Sequence, residues 1–270
     1  MSPRFTVLIP TFSNGALIHA PIVSVLRQSA SDFELFVVLD GAPDSTREIV
    51  EGYAARDPRV RAFAFPKGER HGEAWRDVAL REAQGKMVCY LSDDDFWFSD
   101  HLETMATVLH EADFGHTRHV EILPNLHARG WEGDLADVAV RQKMSTSLYN
   151  FFGLSVAGHR LESYRRLPAG WSPGPTDLPS DLHMWRKWLA SDMRFRSSSA
   201  ITSLHFARVF RKHLPPGDVV EEPRLWLEIF SDQAMRDSLR RLCPVNREQI
   251  SMVEIVAASR RAAPLQEANG

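Results

Sequence analysis

Short apolar runs alternate with longer amphipathic stretches through the first hundred residues. Residues 5–9 are apolar and closed by Pro10, which predicts a strand. Residues 18–28 carry Ile18, Ile22, Val25 and Leu26 at helical spacing. Residues 33–39 are apolar on both faces, as strands of a parallel sheet tend to be. Asp44, Ser45 and Thr46 open a helix through residue 55, with Ile49, Val50 and Tyr53 inward. Residues 60–65 alternate as a third strand. Residues 73–84 read as a helix stopped by Gly85, a left-handed cap glycine. Residues 87–91 form a fourth apolar run. This rhythm predicts an α/β fold, a mostly parallel sheet flanked by helices with right-handed crossovers. Ligands of such sheets bind beyond the carboxyl ends of the strands. Thr11, Asp40 and the acids after residue 91 all sit at such ends, so one crevice would collect them.

After about residue 115 the rhythm fades. Residues 119–180 are rich in Gly, Pro and Trp, which predicts irregular structure, short strands and a long functional loop. Residues 180–191 read as a helix and 195–210 as one or two strands. Residues 223–242 and 246–262 read as terminal helices followed by a frayed end. The expected organisation is a domain over 1–215, with a nucleotide-binding half (1–112) and an acceptor and catalytic half (113–215). A helical extension follows over 216–270.

Composition narrows the function classes. The 32 basic and 35 acidic residues give a net charge of −3, with no general pull toward nucleic acid. No stretch approaches the ~18 apolar residues of a membrane span. The first strand begins at once, so no signal peptide is expected and the location reads as cytoplasmic. Cys89 and Cys243 read as reduced thiols. The pairs Arg165-Arg166, Arg240-Arg241 and Arg260-Arg261 read as solvated helix faces, with peripheral contact to an anionic membrane as the minority reading.

Candidate chemistry centres on Asp93, Asp94 and Asp95, directly after the fourth strand. Adjacent carboxylates repel and raise each other's pKa. A hard dication such as Mg²⁺ or Mn²⁺ removes the problem and shares its shell with phosphates. The competing reading is that the acids cap the helix beginning near Ser99. The loop after strand one, Pro10-Thr11-Phe12-Ser13-Asn14-Gly15, is neither G-x-G-x-x-G nor a P-loop. A nucleotide would therefore rest on side chains, the Thr11 to Ser13 backbone and a metal. Asp40 would accept from a base imide or a ribose hydroxyl, or would make an Asx turn with Gly41.

These motifs occur in order: Val7 to Asn14, Ser24 to Gln28, Phe33 to Gly41, Gly72 to Leu80 with Arg76-Asp77, and Gly85 to Asp95. Together they resemble the inverting family 2 glycosyltransferases, which have the GT-A (Rossmann-like) fold. The resemblance covers roughly residues 4–112, weakens to 215 and is negligible beyond. It implies transfer of a sugar from a UDP- or dTDP-sugar to an acceptor hydroxyl, with Mn²⁺ or Mg²⁺. It implies that Pro10, Thr11, Phe12 and Asp40 contact the nucleoside, that Arg76 lies near base or diphosphate, and that Asp93 contacts ribose. Asp94 would be the main metal ligand, with Asp95 next. Two positions depart from the family pattern: Ser92 replaces the usual acid before the triplet, and Ala42 the usual serine after Asp40-Gly41.

Direct displacement also needs a carboxylate to take the acceptor's proton. Asp181 opens a helix on which Trp185 and Trp188 follow at i+4 and i+7, an acid beside aromatic surface suited to a sugar; alternatively Ser180 or Asp181 is only a cap and the tryptophans are core. An acid opening a late helix is the base in the resembled family, which favours Asp181, with Asp177 second. In the region where relatives present a His, Arg or Lys to the diphosphate, His213 is the first candidate to complete the metal shell and His205 the second. Arg208, Arg211 and Lys212 would screen phosphate charge. His116 and His119 have no support as metal ligands. The acceptor would be a saccharide, a lipid-linked sugar or a small molecule, and homodimerisation is a further partner option. The alternatives are a catalytically inactive sugar- or nucleotide-binding module, with Ser92 as its sign, and a sugar nucleotidyltransferase, whose Gly-rich basic loop is missing.

Overall fold

The computed structural model describes residues 2–243 and 248–262. The first part of the chain is β1 (Phe5–Thr11), α1 (His19–Leu26), β2 (Phe33–Asp40), α2 (Asp44–Ala54), β3 (Val60–Phe65), α3 (Glu73–Arg81) and β4 (Met87–Tyr90). Both β2 and β4 pair in parallel with β1, and β3 in parallel with β2. All of β2 is buried because both faces are covered. Phe33, Leu35, Val37 and Leu39 enter one core with α1 and α4, while Phe36 and Val38 enter the other with Trp185 and Trp188. Here α4 is His101–Glu111, following the short β5 (Phe96–Trp97). Each fully buried large side chain contributes about 1.5–3 kcal/mol, an upper estimate.

The second part runs β6 (Phe114–Ile122), β7 (His127–Gly130), α5 (Val138–Thr146), β8 (Ala157–Arg160), α6 (Leu161–Arg165), α7 (Ser180–Leu189) and β9 (Phe195–His205). It ends with α8 (Pro216–Ile229), α9 (Gln233–Leu242), β10 (Ile250–Ser251) and α10 (Met252–Ala262). The sheet order is β10-β7-β6-β8-β4-β1-β2-β3, with β9 pairing β5 and β6. Antiparallel β8 joins the parallel half to the rest through β4.

Several expectations need correction. Gly85 does not cap α3, which ends at Arg81. It is needed because a Cβ there would lie 2.3 Å from the Phe5 carbonyl carbon and the Thr6 nitrogen. Residues 119–180 are more regular than predicted and include α5, β8 and α6. The 223–242 helix is two helices. Pro223 lies inside α8, and Asp232 starts α9 by accepting from the Ala234 amide at 2.8 Å. One strand, β9, and a short helical turn at Arg208–Phe210 occupy the 195–210 stretch. The expected start of the last helix at 246 and the frayed end lie outside the described residues.

Candidate active site

The C-terminal ends of β1, β2, β3 and β4 open onto a cleft of about 370 Å³. Its walls are the loops those strands feed: Pro10 to Asn14 after β1, Asp40 at the end of β2, Lys67, Arg70 and His71 after β3, and Ser92 and Asp93 after β4. Arg76 enters from α3 and Asp181 from the first turn of α7. The parallel sheet thus converts strand ends far apart in sequence into one wall.

The three acids do different things. Asp93 lines the cleft. Burial raises its pKa, against the opposing influence of Thr11, Asn14 and Arg208. Arg208 reaches this rim, donating to Asn14 Oδ1 at 2.9 Å. Asp94 accepts from Ser92 Oγ at 2.7 Å, and burial and the charges of Asp95 and Asp93 push its pKa up to about 7. Asp95 is fully engaged. It accepts from Ser155 Oγ at 2.5 Å, from the Phe206 amide at 3.0 Å and from His205 Nδ1 at 2.9 Å. Burial acts to raise the Asp95 pKa, but His205, Ser155 and Phe206 overcome it and hold it below the usual range. Burial lowers His205, yet Asp95 prevails and raises it to about 9. None of the three caps α4, which starts at His101 after Asp100, whose side chain makes no cap bond.

A metal reading is tested by charge balance. Asp94 is a half-buried carboxylate with two like charges beside it and one neutral hydroxyl partner, an arrangement that a dication would relieve. Asp95 is already neutralised by His205, so the donor set fits a metal held chiefly by Asp94 and by a ligand's own oxygens. Among the described residues no group of three or more His, Cys, Asp or Glu is arranged around a common point.

On the opposite wall, Asp40 makes no Asx turn. Its carboxylate accepts from Lys67 Nζ at 2.7 Å and from the Gly68 amide at 2.6 Å. Arg76 is buried over the Trp171 ring, 4.7 Å from its centroid, and donates to the His71 carbonyl at 3.1 Å. Desolvation lowers its pKa, partly offset by Glu73, Tyr90, Asp181 and Asp40. Arg76 Nε is buried without a hydrogen-bond partner, as is one oxygen of Glu73. Orphaned buried polar atoms beside a cleft mark places a ligand would satisfy. Asp181 accepts from the Leu182 amide at 2.7 Å and from Asn150 Nδ2 at 3.0 Å. Burial raises its pKa, with Leu182, Arg76 and Asn150 opposing. A carboxylate so raised is better matched to accept a proton near neutral pH.

Of the residues singled out from sequence, Pro10, Thr11, Phe12, Asp40, Arg76, Asp93 and Asp181 line this one cleft. Asp94, Asp95 and His213 do not. His213 is exposed on the turn after Phe210, so His205, bonded to Asp95, is the histidine at the acid cluster. Arg211 is structural, buried against Glu222 at 2.5 Å and the Ile122 carbonyl at 2.8 Å. Trp185 and Trp188 are wholly buried core residues, not a sugar platform. Asp177 is exposed and outside the cleft. Sequence reasoning missed Lys67, Arg70, His71, Asn150 and Ser155. Lys67 and Arg70 lie in the loop Lys67-Gly68-Glu69-Arg70-His71-Gly72, directly after a strand end, and that basic, glycine-punctuated pattern was the available signal.

A curled α/β sheet with this cleft at its parallel edge is the architecture of the GT-A glycosyltransferases. The chain covers 89% of itself against a Staphylococcus aureus TarS 1-349 structure in complex with UDP-GlcNAc, with a TM-score of 0.58 at 17% identity over 70% of that chain. A Pyrobaculum calidifontis mannosyltransferase, PcManGT, in complex with GDP-Man and Mn²⁺, aligns over 89% of this chain and 62% of its own, with a TM-score of 0.55 at 20% identity. Residues 6–127 match the sequence model of Glycosyl transferase family 2. A Campylobacter jejuni GalNAc(5)-diNAcBac-PP-undecaprenol beta-1,3-glucosyltransferase is 29% identical over 103 residues, 38% of this chain and 33% of that protein. The matched stretch spans between 27% and 40% of the curated relatives compared first.

Proposed function

We propose that the protein transfers a sugar, with inversion, from a nucleoside-diphosphate donor to an acceptor hydroxyl, with Asp181 as the base. The observation that carries this reading is the gathering of Thr11, Asp40, Arg76, Asp93 and Asp181 in one cleft. Thr11 and Asp40 would hold the nucleoside, Asp93 the ribose, and Arg76 the base or diphosphate. Asp181 would accept the acceptor's proton, its carboxylate aimed by Asn150 and the Leu182 amide. A bound Mn²⁺ or Mg²⁺ at Asp94, with Asp95 behind it, would neutralise charge developing on the leaving diphosphate. Lys67, which lines the cleft, and Arg208, which bonds Asn14 at its edge, add positive potential for a diphosphate.

UDP-GlcNAc and GDP-Man in the two structural neighbours support a nucleotide-sugar donor, and Mn²⁺ in one of them supports a metal. A UDP- or dTDP-sugar is our first choice. The undecaprenol-linked substrate in the Campylobacter relative's name supports a lipid-linked saccharide acceptor. No helix among the described residues is long and apolar enough to cross a membrane, so lipid-linked substrate would be met at the bilayer surface.

Calorimetry with a panel of nucleotide sugars and Mn²⁺, followed by turnover, tests this. One UDP- or dTDP-sugar is expected to bind with metal dependence. Asp94→Ala should abolish the metal dependence. Asp181→Asn should leave donor affinity within about threefold while lowering kcat by about 10²–10⁴-fold. Metal-independent binding untouched by Asp94→Ala would sink the metal assignment, and full activity in Asp181→Asn the base.

A further inference from the structure

Residues 172–179 lead directly into Ser180 and Asp181, yet they have little means of holding themselves. Pro173, Pro175 and Pro179 lack an N–H, so the segment cannot join a ladder, and its carbonyls need donors from elsewhere. A single side chain from the facing loop supplies three. Arg70 Nη1 donates to the Gly174 carbonyl at 2.7 Å and to the Pro175 carbonyl, while Nη2 donates to the Leu178 carbonyl at 3.0 Å. The Leu178 amide itself closes a turn onto the Pro175 carbonyl at 3.2 Å. The guanidinium thus grips both ends of the turn before α7. Upstream, Lys187 of α7 donates to the Gly170 carbonyl and Ser172 Oγ, both at 2.6 Å.

Arg70 is itself held in an unusual place. Its φ is +52°, a left-handed conformation disfavoured for residues with a side chain. Lys67 stabilises that backbone by donating to the Arg70 carbonyl at 2.8 Å, while the same ammonium bonds the Gly68 carbonyl and Asp40 Oδ2, each at 2.7 Å. A continuous chain of contacts therefore runs from Asp40, through Lys67 and Arg70, to the segment that carries Asp181.

We propose that Arg70 is a positioning residue that fixes the 172–179 segment, and with it the Asp181 carboxylate, while Lys67 ties that placement to Asp40. The proposal rests on Asp181 being the base. Arg70 needs no contact with a reacting atom, because a small misplacement of a catalytic group costs up to about 100-fold in rate.

The test uses full-length Arg70→Ala and Arg70→Lys. Hydrogen exchange without ligand should speed up by about tenfold within 172–183 and stay unchanged over β1 and β2. Transfer should lose about 10- to 100-fold in kcat, with donor Kd moving by less than about threefold. Free guanidinium ion should restore part of the activity of Arg70→Ala. Arg70→Lys should remain impaired, since a point ammonium does not reproduce the planar fork. Unchanged exchange in 172–183 with unchanged kcat overturns the proposal, as does exchange that rises evenly across the chain with no guanidinium rescue. A wild-type protein that turns over no nucleotide sugar counts against the transferase reading, and the localised exchange then decides the stapling alone.

Discussion

At the scale of single residues, the acid triplet shows how neighbours divide labour among identical side chains. Asp95, which is buried, and His205, which is half-buried, form an ion pair whose ionisation is linked to folding. His205 is raised to about 9, so its contribution is complete below its ordinary value of about 6.5 and lost as pH rises through about 9. Asp95 is lowered, so its contribution holds above the ordinary Asp range and is lost only in acid. Chemical denaturation at a series of pH values should therefore show wild-type stability falling between about pH 6.5 and 9 relative to His205→Gln. Asp95→Ala should cost about 1–3 kcal/mol, because it strips the Phe206 amide, Ser155 Oγ and His205 of their common acceptor. A variant of ordinary stability would place Asp95 outside the fold's support and return it to the metal shell.

At the scale of elements, the βα units were legible because β1, β2 and β4 are apolar on both faces and end in polar residues. The cleft residues at those ends followed from the same reading. Asp181 was found only with help from the family resemblance, since a helix-opening Asp is common and the tryptophans after it proved to be core. Lys67 and Arg70 escaped because their roles depend on a loop whose partners are 27 and more than 100 residues away. His213 was preferred to His205 on local context, and only the pairing of β9 with β5 brings His205 to Asp95. Gly72 joins loop and site directly: its φ is +66°, and a Cβ there would lie 2.4 Å from Asp40 Cγ. Gly72→Ala should destabilise the protein by about 1–3 kcal/mol. It should also weaken nucleotide binding by displacing Asp40, a loss that calorimetry would separate from unfolding if measured well below the melting temperature. Unaltered affinity would show that Asp40 does not contact the nucleotide.

At the scale of the whole molecule, the helices after residue 216 bear on the site although they are remote from it in sequence. Trp226, Phe230, Leu239, Met252 and Ile255 share a core with Phe96, Phe98, Val120 and Leu204. Phe96 follows Asp95 directly and pairs with Leu204, next to His205. Phe230 stacks on Phe98 with centroids 5.3 Å apart, and Arg240 reaches back to Asp100 at 2.8 Å. The strand that holds the acid loop is therefore covered on one side by the C-terminal helices, which argues that 1–215 is incomplete as a folding unit. Phe230→Ala should cost about 3–5 kcal/mol, as removal of a buried aromatic does, whereas Val253→Ala at an exposed position should change stability by less than about 0.5 kcal/mol. A chain ending at residue 215 would expose the Phe96, Phe98 and Leu204 surface and should aggregate or melt without a cooperative transition, as followed by circular dichroism and light scattering. If that truncated chain instead melted cooperatively and bound nucleotide as the full chain does, the helices would be an appendage, and the acid loop would be held by β9 alone.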